Sequence, residues 1–330
     1  ALVEGLGGEE VEVLVHGPLG TVIKARYGLI RETKTAVMEM AAAAGILLTG
    51  KEKQPLKAST FGVGEMIKDA IGRGCTNFII GIGGSATNDG GIGMLTALGF
   101  AFLDKEEKQV GIGAGALQEI ASINTDKVLP ALYTCRFCVA CDVTNPLCGE
   151  NGATYVYGPQ KGVTENLKAE LDQAMASYAA VTKKCLGCDF QETEGAGAAG
   201  GLGFAFLSFL HAKLQPGIEI VMDAVGMDQA MEGADLVFTG EGCLDAQTAM
   251  GKAPVGVAKM AKKHGANVVA LAGAVADGAE KCNENGIDAY FPIIRQSMTL
   301  DEAMKPETAK ENIRKTTEQI MRLIKMSDII

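Results

Sequence analysis

Phe78-Ile-Ile-Gly-Ile-Gly-Gly-Ser-Ala-Thr-Asn-Asp-Gly-Gly91 is an apolar run that breaks into glycines, small hydroxyl residues and one carboxylate. Met94-Leu-Thr-Ala-Leu98 follows with helical character, so the segment reads as strand, glycine turn, helix. Backbone N–H groups left uncovered at the start of a helix favour an anion. Asp89, in the same turn, adds nothing to a site that only holds phosphate. It suits one that also holds Mg²⁺ or removes a proton from an attacking hydroxyl. The alternative is that Asp89 caps the helix it precedes.

Upstream of this turn, Val11-Glu-Val-Leu-Val15, Val22-Ile-Lys-Ala-Arg-Tyr27 and Thr35-Ala-Val-Met-Glu-Met40 read as strands of an antiparallel meander, and residues 64–71 as a helix. Downstream, Leu167, Leu171, Met175 and Tyr178 recur every three or four residues and predict an amphipathic helix over 164–182. From 234 onward, strand and helix alternate: strands at 234–239, 267–271 and 289–293, helices at 254–264 and 307–326. That alternation predicts an α/β fold with a parallel sheet, whose ligands bind beyond the carboxyl ends of the strands.

The chain has 330 residues, which favours two domains, and 47% of them are hydrophobic. A formal charge of −10 and the absence of Trp argue against a nucleic-acid surface. No apolar run spans a bilayer and the start carries no secretory pattern, so no membrane partner and a cytoplasmic location are expected. A homodimer is compatible with such a chain. Nine cysteines include Cys135, Cys138 and Cys141 at metal-like spacing, yet they fall in a run that reads as a strand. A three-residue offset there sends side chains to opposite faces, so small reduced thiols are the better reading. Gly195-Ala-Gly-Ala-Ala-Gly200 matches a dinucleotide fingerprint but lacks the preceding strand, which leaves a phosphate-contacting or closely packed helix start.

Polar residues collect in four glycine-framed turns: Ser85, Thr87, Asn88 and Asp89; Asp142, Asn145 and Pro146; Gln160 and Lys161; Glu241, Asp245, Gln247 and Lys252. Carboxylates for Mg²⁺ or a base, with lysines for phosphate oxygens, are what phosphoryl transfer requires. Neither a Walker A sequence nor the protein-kinase signatures occur. With no histidine in a suitable context, a carboxylate is the expected base.

Together, Gly81 to Gly91, Cys141-Asp-Val-Thr-Asn-Pro-Leu-Cys-Gly149, Gly158-Pro-Gln-Lys-Gly162, Gly195 to Gly201, and Thr239-Gly-Glu-Gly242 with Asp245, Gln247 and Gly251-Lys252 resemble the successive motifs of the bacterial glycerate kinase family. The resemblance covers essentially the whole chain and implies ATP and Mg²⁺ as co-substrates, D-glycerate as acceptor and 2-phosphoglycerate as product. It also implies two α/β domains. A flavodoxin-like parallel-sheet domain would use both chain ends, 1–10 and 234–330. A mixed-sheet, restriction-endonuclease-like domain would span 11–233, with the active site in the cleft between them. On this basis Asp89, Asp142, Glu241 and Asp245 are the catalytic candidates, the first three also as metal ligands. Gly83, Gly84, Ser85, Thr87, Asn88, Lys161, Gly197, Gly200 and Lys252 are assigned to the nucleotide, and Asn145, Gln160 and Gln247 to the acceptor; either lysine could instead hold the glycerate carboxylate. Family members usually begin with a strand and an Asp-Ser-Phe-Lys turn, then an Asp-Gly-Gly-Glu-Gly-Thr loop. Both motifs are missing here, so the flavodoxin-like sheet is expected without its first strands. The competing reading is a non-catalytic truncated remnant that binds nucleotide or small anions.

Overall fold

The computed structural model describes residues 2–51 and 53–326. Among them, eleven strands form sheets of six, three and two strands. In chain order these are β1 (Glu9–His16), β2 (Val22–Ile30), β3 (Thr35–Glu39), β4 (Asn77–Gly81), β5 (Ala101–Leu103), β6 (Ser122–Asn124), β7 (Arg136–Ala140), β8 (Lys213–Gln215), β9 (Leu236–Leu244), β10 (Asn267–Val275) and β11 (Ala289–Pro292). The chain divides into two compact units, Ala1–Gly217 and Ile218–Ile330.

The first unit is built on the six-stranded sheet, order β1-β2-β3-β4-β7-β8. β1, β2 and β3 form the expected antiparallel meander, whereas β3, β4, β7 and β8 run parallel. The change of direction follows from connection length, since parallel neighbours need a crossover and hairpin partners do not. Helix Phe61–Gly72 supplies the crossover between β3 and β4. Alternation along β1 buries Val11 and Val15 and leaves Glu10 and Glu12 facing Arg26 and Lys24 of β2. Phe78 and Phe137 on neighbouring parallel strands stack with centroids 4.8 Å apart. The long helix, Glu165–Leu186, buries Leu171, Met175, Tyr178 and Thr182 along one face, as the three-and-four spacing requires. Gly187, at φ +74°, ends it.

The second unit carries three parallel strands, order β11-β10-β9, covered by helix Ala253–Lys263 through Val255, Ala258 and Ala261. Helix Pro306–Met326 closes the described chain.

Two features differ from the sequence reading. The units divide at 217 and 218 rather than at 234, and helix Leu2–Gly5 lies in the first unit, where Val3 occupies space left by the missing side chains of Gly8 and Gly28. Ala1 and residues 327–330, the outer ends of the expected flavodoxin-like segments, lie outside the described residues. β9 also continues through Leu244 instead of ending at Thr239, because β10 pairs with it as far as Val275. Tertiary pairing overrides the turn signal of Gly240 and Gly242.

Candidate active site

In the first unit, β4 and β7 deliver their carboxyl ends to one cavity of about 280 Å³. The turn after β4 contributes Ile82, Gly83, Gly84 and Ser85; the end of β7 contributes Ala140, Cys141, Asp142 and Val143. Tyr157, Gln160 and Lys161 come from the short helical turns near 157–161, and Ala198 and Ala199 from the second glycine segment. Carboxyl ends of parallel strands are where open α/β sheets bind ligands.

The turn 81–91 serves two ends. At Gly83 an added side chain would meet open space, and Gly84 sits at φ +70° with only Ala41 near. Their backbone therefore faces the cavity uncovered. Thr87, Asn88 and Asp89 instead are fully buried behind it. Asp89 Oδ2 accepts from Thr60 N–H and Thr60 Oγ1–H, both at 2.8 Å, and from Gly93 N–H at 3.4 Å; Oδ1 accepts from Gly91 N–H at 3.2 Å. The anion held at the start of helix Ile92–Ala97 is thus Asp89 itself. Burial raises its pKa, and the hydrogen bonds from Thr60, Gly91 and Gly93 pull the other way by favouring the carboxylate. Its oxygens accept from Thr60, Gly91 and Gly93 and it is not among the cavity residues, so it braces the turn. Asn88 Nδ2 donates to Thr154 Oγ1 at 3.0 Å, while Asn88 Oδ1 and Thr87 Oγ1 have no partner among the described residues.

Lys161 is 2% exposed and lines the cavity. Its Nζ donates to the Thr87 carbonyl at 2.7 Å. Desolvation lowers its pKa to about 7, against the opposing pull of Asp89. Asp142, exposed, accepts from Gly217 N–H at 3.0 Å through Oδ1. Tyr157 O–H donates to Asn145 Oδ1 at 2.6 Å, and Asn145 Nδ2 donates to the Asn151 carbonyl at 2.8 Å. Asn145 therefore orients Tyr157 and does not line the cavity itself. Lys53 Nζ donates to the Gln160 carbonyl at 2.5 Å.

Gly197 and Gly200 are used up in packing. A side chain on Gly197 would lie 2.1 Å from the Pro146 carbonyl oxygen, and one on Gly200 would lie 2.0 Å from that of Thr87. Ala199, Gly200 and Gly201 all take positive φ, so the second glycine segment does not start as a regular helix. Close approach of the two loops, sealed by Gly90 N–H to the Gly200 carbonyl at 2.9 Å, explains these glycines.

The second unit holds the other constellation. Glu241, on β9, lines a cavity of about 380 Å³ with Phe238, Thr239, Gly240, Leu271 and Ile313 among others. Thr248 O–H donates to Glu241 Oε1, and Thr248 N–H donates to Asp245 Oδ1 at 2.9 Å. That backbone donor is the main cause of the lowered Asp245 pKa. Lys252 Nζ lies 3.8 Å from Asp245, and Gln247 is exposed.

The expected residues Gly83, Gly84, Ser85, Asp142, Gln160 and Lys161 thus share one cavity, and Glu241, Asp245 and Lys252 form one cluster. Tyr157 and Cys141 are cavity residues that sequence reasoning did not assign. Tyr157 stands four residues before Lys161, a helical spacing that could have placed both on one face. Among the described residues no group of three or more His, Cys, Asp or Glu side chains could hold a metal. No helix among them is long and apolar enough to cross a membrane.

An uncovered glycine turn and a buried lysine at the carboxyl ends of parallel strands, with a separate carboxylate cluster on a second parallel sheet, place the chain among α/β proteins with a cavity at their strand ends. The glycerate kinase family model matches residues 1–325. A glycerate kinase of Halalkalibacterium halodurans is 47% identical over 92% of this chain and 80% of its own length. The glycerate 2-kinase of Escherichia coli K12 is 45% identical, with the same coverage. The crystal structure of a protein from Salmonella typhimurium LT2 assigned as glycerate kinase 2 superposes with a TM-score of 0.87 at 41% identity, covering 100% of this chain and 86% of that one. The chain belongs to the glycerate kinase family, and it is an enzyme of the kinase class.

Proposed function

We propose that the chain transfers the γ-phosphoryl group of ATP to the 2-hydroxyl of D-glycerate, giving 2-phosphoglycerate and ADP. Family membership supports the reaction class, and the cavity at the ends of β4 and β7 is the observation that carries the site. Its open glycine backbone, Ser85 and Gln160 supply neutral hydrogen-bonding groups for a hydroxy acid. Asp142 is its acidic side chain, and among the described residues only Oδ1 is hydrogen-bonded. Asp142 Oδ2 then accepts the proton of the attacking hydroxyl, the task a carboxylate performs in hydroxyl phosphorylation.

Mg²⁺ binds through one or two carboxylates, retained waters and phosphate oxygens, so it needs no closed protein cage. The Glu241 and Asp245 pair fits that donor set, since Asp245 is held as a carboxylate and each has one oxygen outside the Thr248 contacts. Asp89 does not fit, because its oxygens are spent on Thr60, Gly91 and Gly93. When bound, the ion would neutralise charge on the transferring phosphoryl group. Lys252 remains for phosphate oxygens as a point charge.

A coupled ADP-release assay with D-glycerate and MgATP tests the reading. Turnover that depends on both substrates supports it. Nucleotide binding without acceptor-dependent ADP release would favour the non-catalytic alternative.

A further inference from the structure

We infer that Lys161 Nζ binds the carboxylate of the acceptor inside the first-unit cavity and thereby selects hydroxy acids over neutral polyols; this rests on the acceptor site proposed above. Lys161 is 2% exposed and is one of the residues that line the cavity. An ammonium group has three N–H donors, and the structure gives one an acceptor, the Thr87 carbonyl. Among the described residues no carboxylate lies within ion-pairing distance of it. Asp89 lends it a favourable field, but the Asp89 oxygens are already occupied by Thr60, Gly91 and Gly93. A buried cation without a counter-ion is costly unless a ligand supplies one.

The ligand is assigned as the acceptor because the cavity is small and holds Asp142, the proposed base. Clefts for drug-sized ligands run from about 300 to 1,000 Å³, and this cavity is about 280 Å³. It suits a three-carbon acid. Asp142 stands in the same cavity, where a carboxylate bound to Lys161 leaves the neighbouring hydroxyl free to meet it.

A pH signature follows. Of the other titratable groups in the cavity, burial raises the Cys141 thiol and the Tyr157 phenol, which keeps both neutral near pH 7. Burial puts Lys161 at about 7, so the empty site loses its cation as pH rises. Binding of D-glycerate should therefore weaken from pH 6 to pH 9, at about tenfold per pH unit once above 7 if the charged form alone binds.

The test is calorimetric titration of D-glycerate into the wild-type chain across that pH range, which requires no variant. It is paired with steady-state kinetics and thermal melts of Lys161→Met. The expected results are the pH trend in the wild type and a roughly 10- to 100-fold rise in the variant's KM for D-glycerate, with KM for ATP unchanged. A folded Lys161→Met that keeps its KM for glycerate but loses affinity for ATP would overturn the inference, assigning the lysine to phosphate. A folded Lys161→Met with unchanged affinity and KM for D-glycerate would overturn it as well. Lys161-dependent glycerate binding without turnover would leave it standing and break the phosphorylation reading on which it was built.

Discussion

The turn at 81–91 and the segment at 240–252 both set carboxylates among glycines next to a parallel strand, yet they handle charge in opposite ways. In the first, Asp89 and the Lys161 that bonds the turn's Thr87 carbonyl are sunk in protein. Asp89 is saturated by hydrogen bonds, while Lys161 is short of an anion. In the second, Glu241, Asp245 and Lys252 stay partly or largely solvated and lean on Thr248 and on each other. Charge held in low dielectric is expensive and rigid, so it recognises one partner well. Solvated charge costs little and adapts, which suits an ion that retains its own waters.

That contrast fixes an order of mutational effects. The largest belongs to Asp89→Ala, which strands the buried donors of Thr60, Gly91 and Gly93. We expect a loss of about 3–5 kcal/mol in urea unfolding. A cost near zero would mean that Asp89 does not brace the turn.

Next comes a gain. Lys161 titrates at about 7 in the fold and near 10.4 when unfolded. Between those values the unfolded chain binds more protons, so its burial penalty is full below pH 7 and is relieved as pH rises toward 10. Lys161→Met should therefore stabilise the chain by roughly 2–4 kcal/mol at pH 6, with the gain fading by pH 10, while glycerate turnover falls. Comparing unfolding free energies at the two pH values checks the sign.

The glycines give a third, paired effect. Gly200→Ala forces a side chain to 2.0 Å from the Thr87 carbonyl oxygen at φ +71°, and should cost about 2–3 kcal/mol. Gly83→Ala meets open space, and should leave the melting temperature nearly unchanged while altering glycerate KM.

The smallest stability effects fall in the second unit. Glu241→Gln should keep the fold within about 1 kcal/mol yet lower kcat about 100-fold. Lys252→Ala, removing a 44%-exposed cation 3.8 Å from Asp245, should shift stability by about 0.5 kcal/mol or less. A large loss of stability from either substitution would show that this cluster is structural after all.

Much of this was legible in the chain. The meander of β1 to β3, the helix Glu165–Leu186 and the strand and helix alternation after 234 follow from hydrophobic period alone. The cavity residues Gly83, Gly84, Ser85, Asp142, Gln160 and Lys161 came from turn composition. What sequence cannot supply is the direction a side chain faces. Asp89 turns inward because Thr60, 29 residues away, offers it two donors. Lys161 is buried because the Thr87 carbonyl reaches it across 74 residues. Gly197 and Gly200 carry the same composition as Gly83 and Gly84, and only the approach of two distant loops separates packing from exposure.

Phosphorylation of glycerate at its 2-hydroxyl is the proposed reaction. ³¹P NMR of the product formed from D-glycerate and MgATP tests it most directly. Transfer to the 2-hydroxyl gives one phosphate ester, coupled to the single proton on carbon 2, accumulating in step with ADP. An ester coupled to the two protons of carbon 3, or free phosphate in place of any ester, would contradict it.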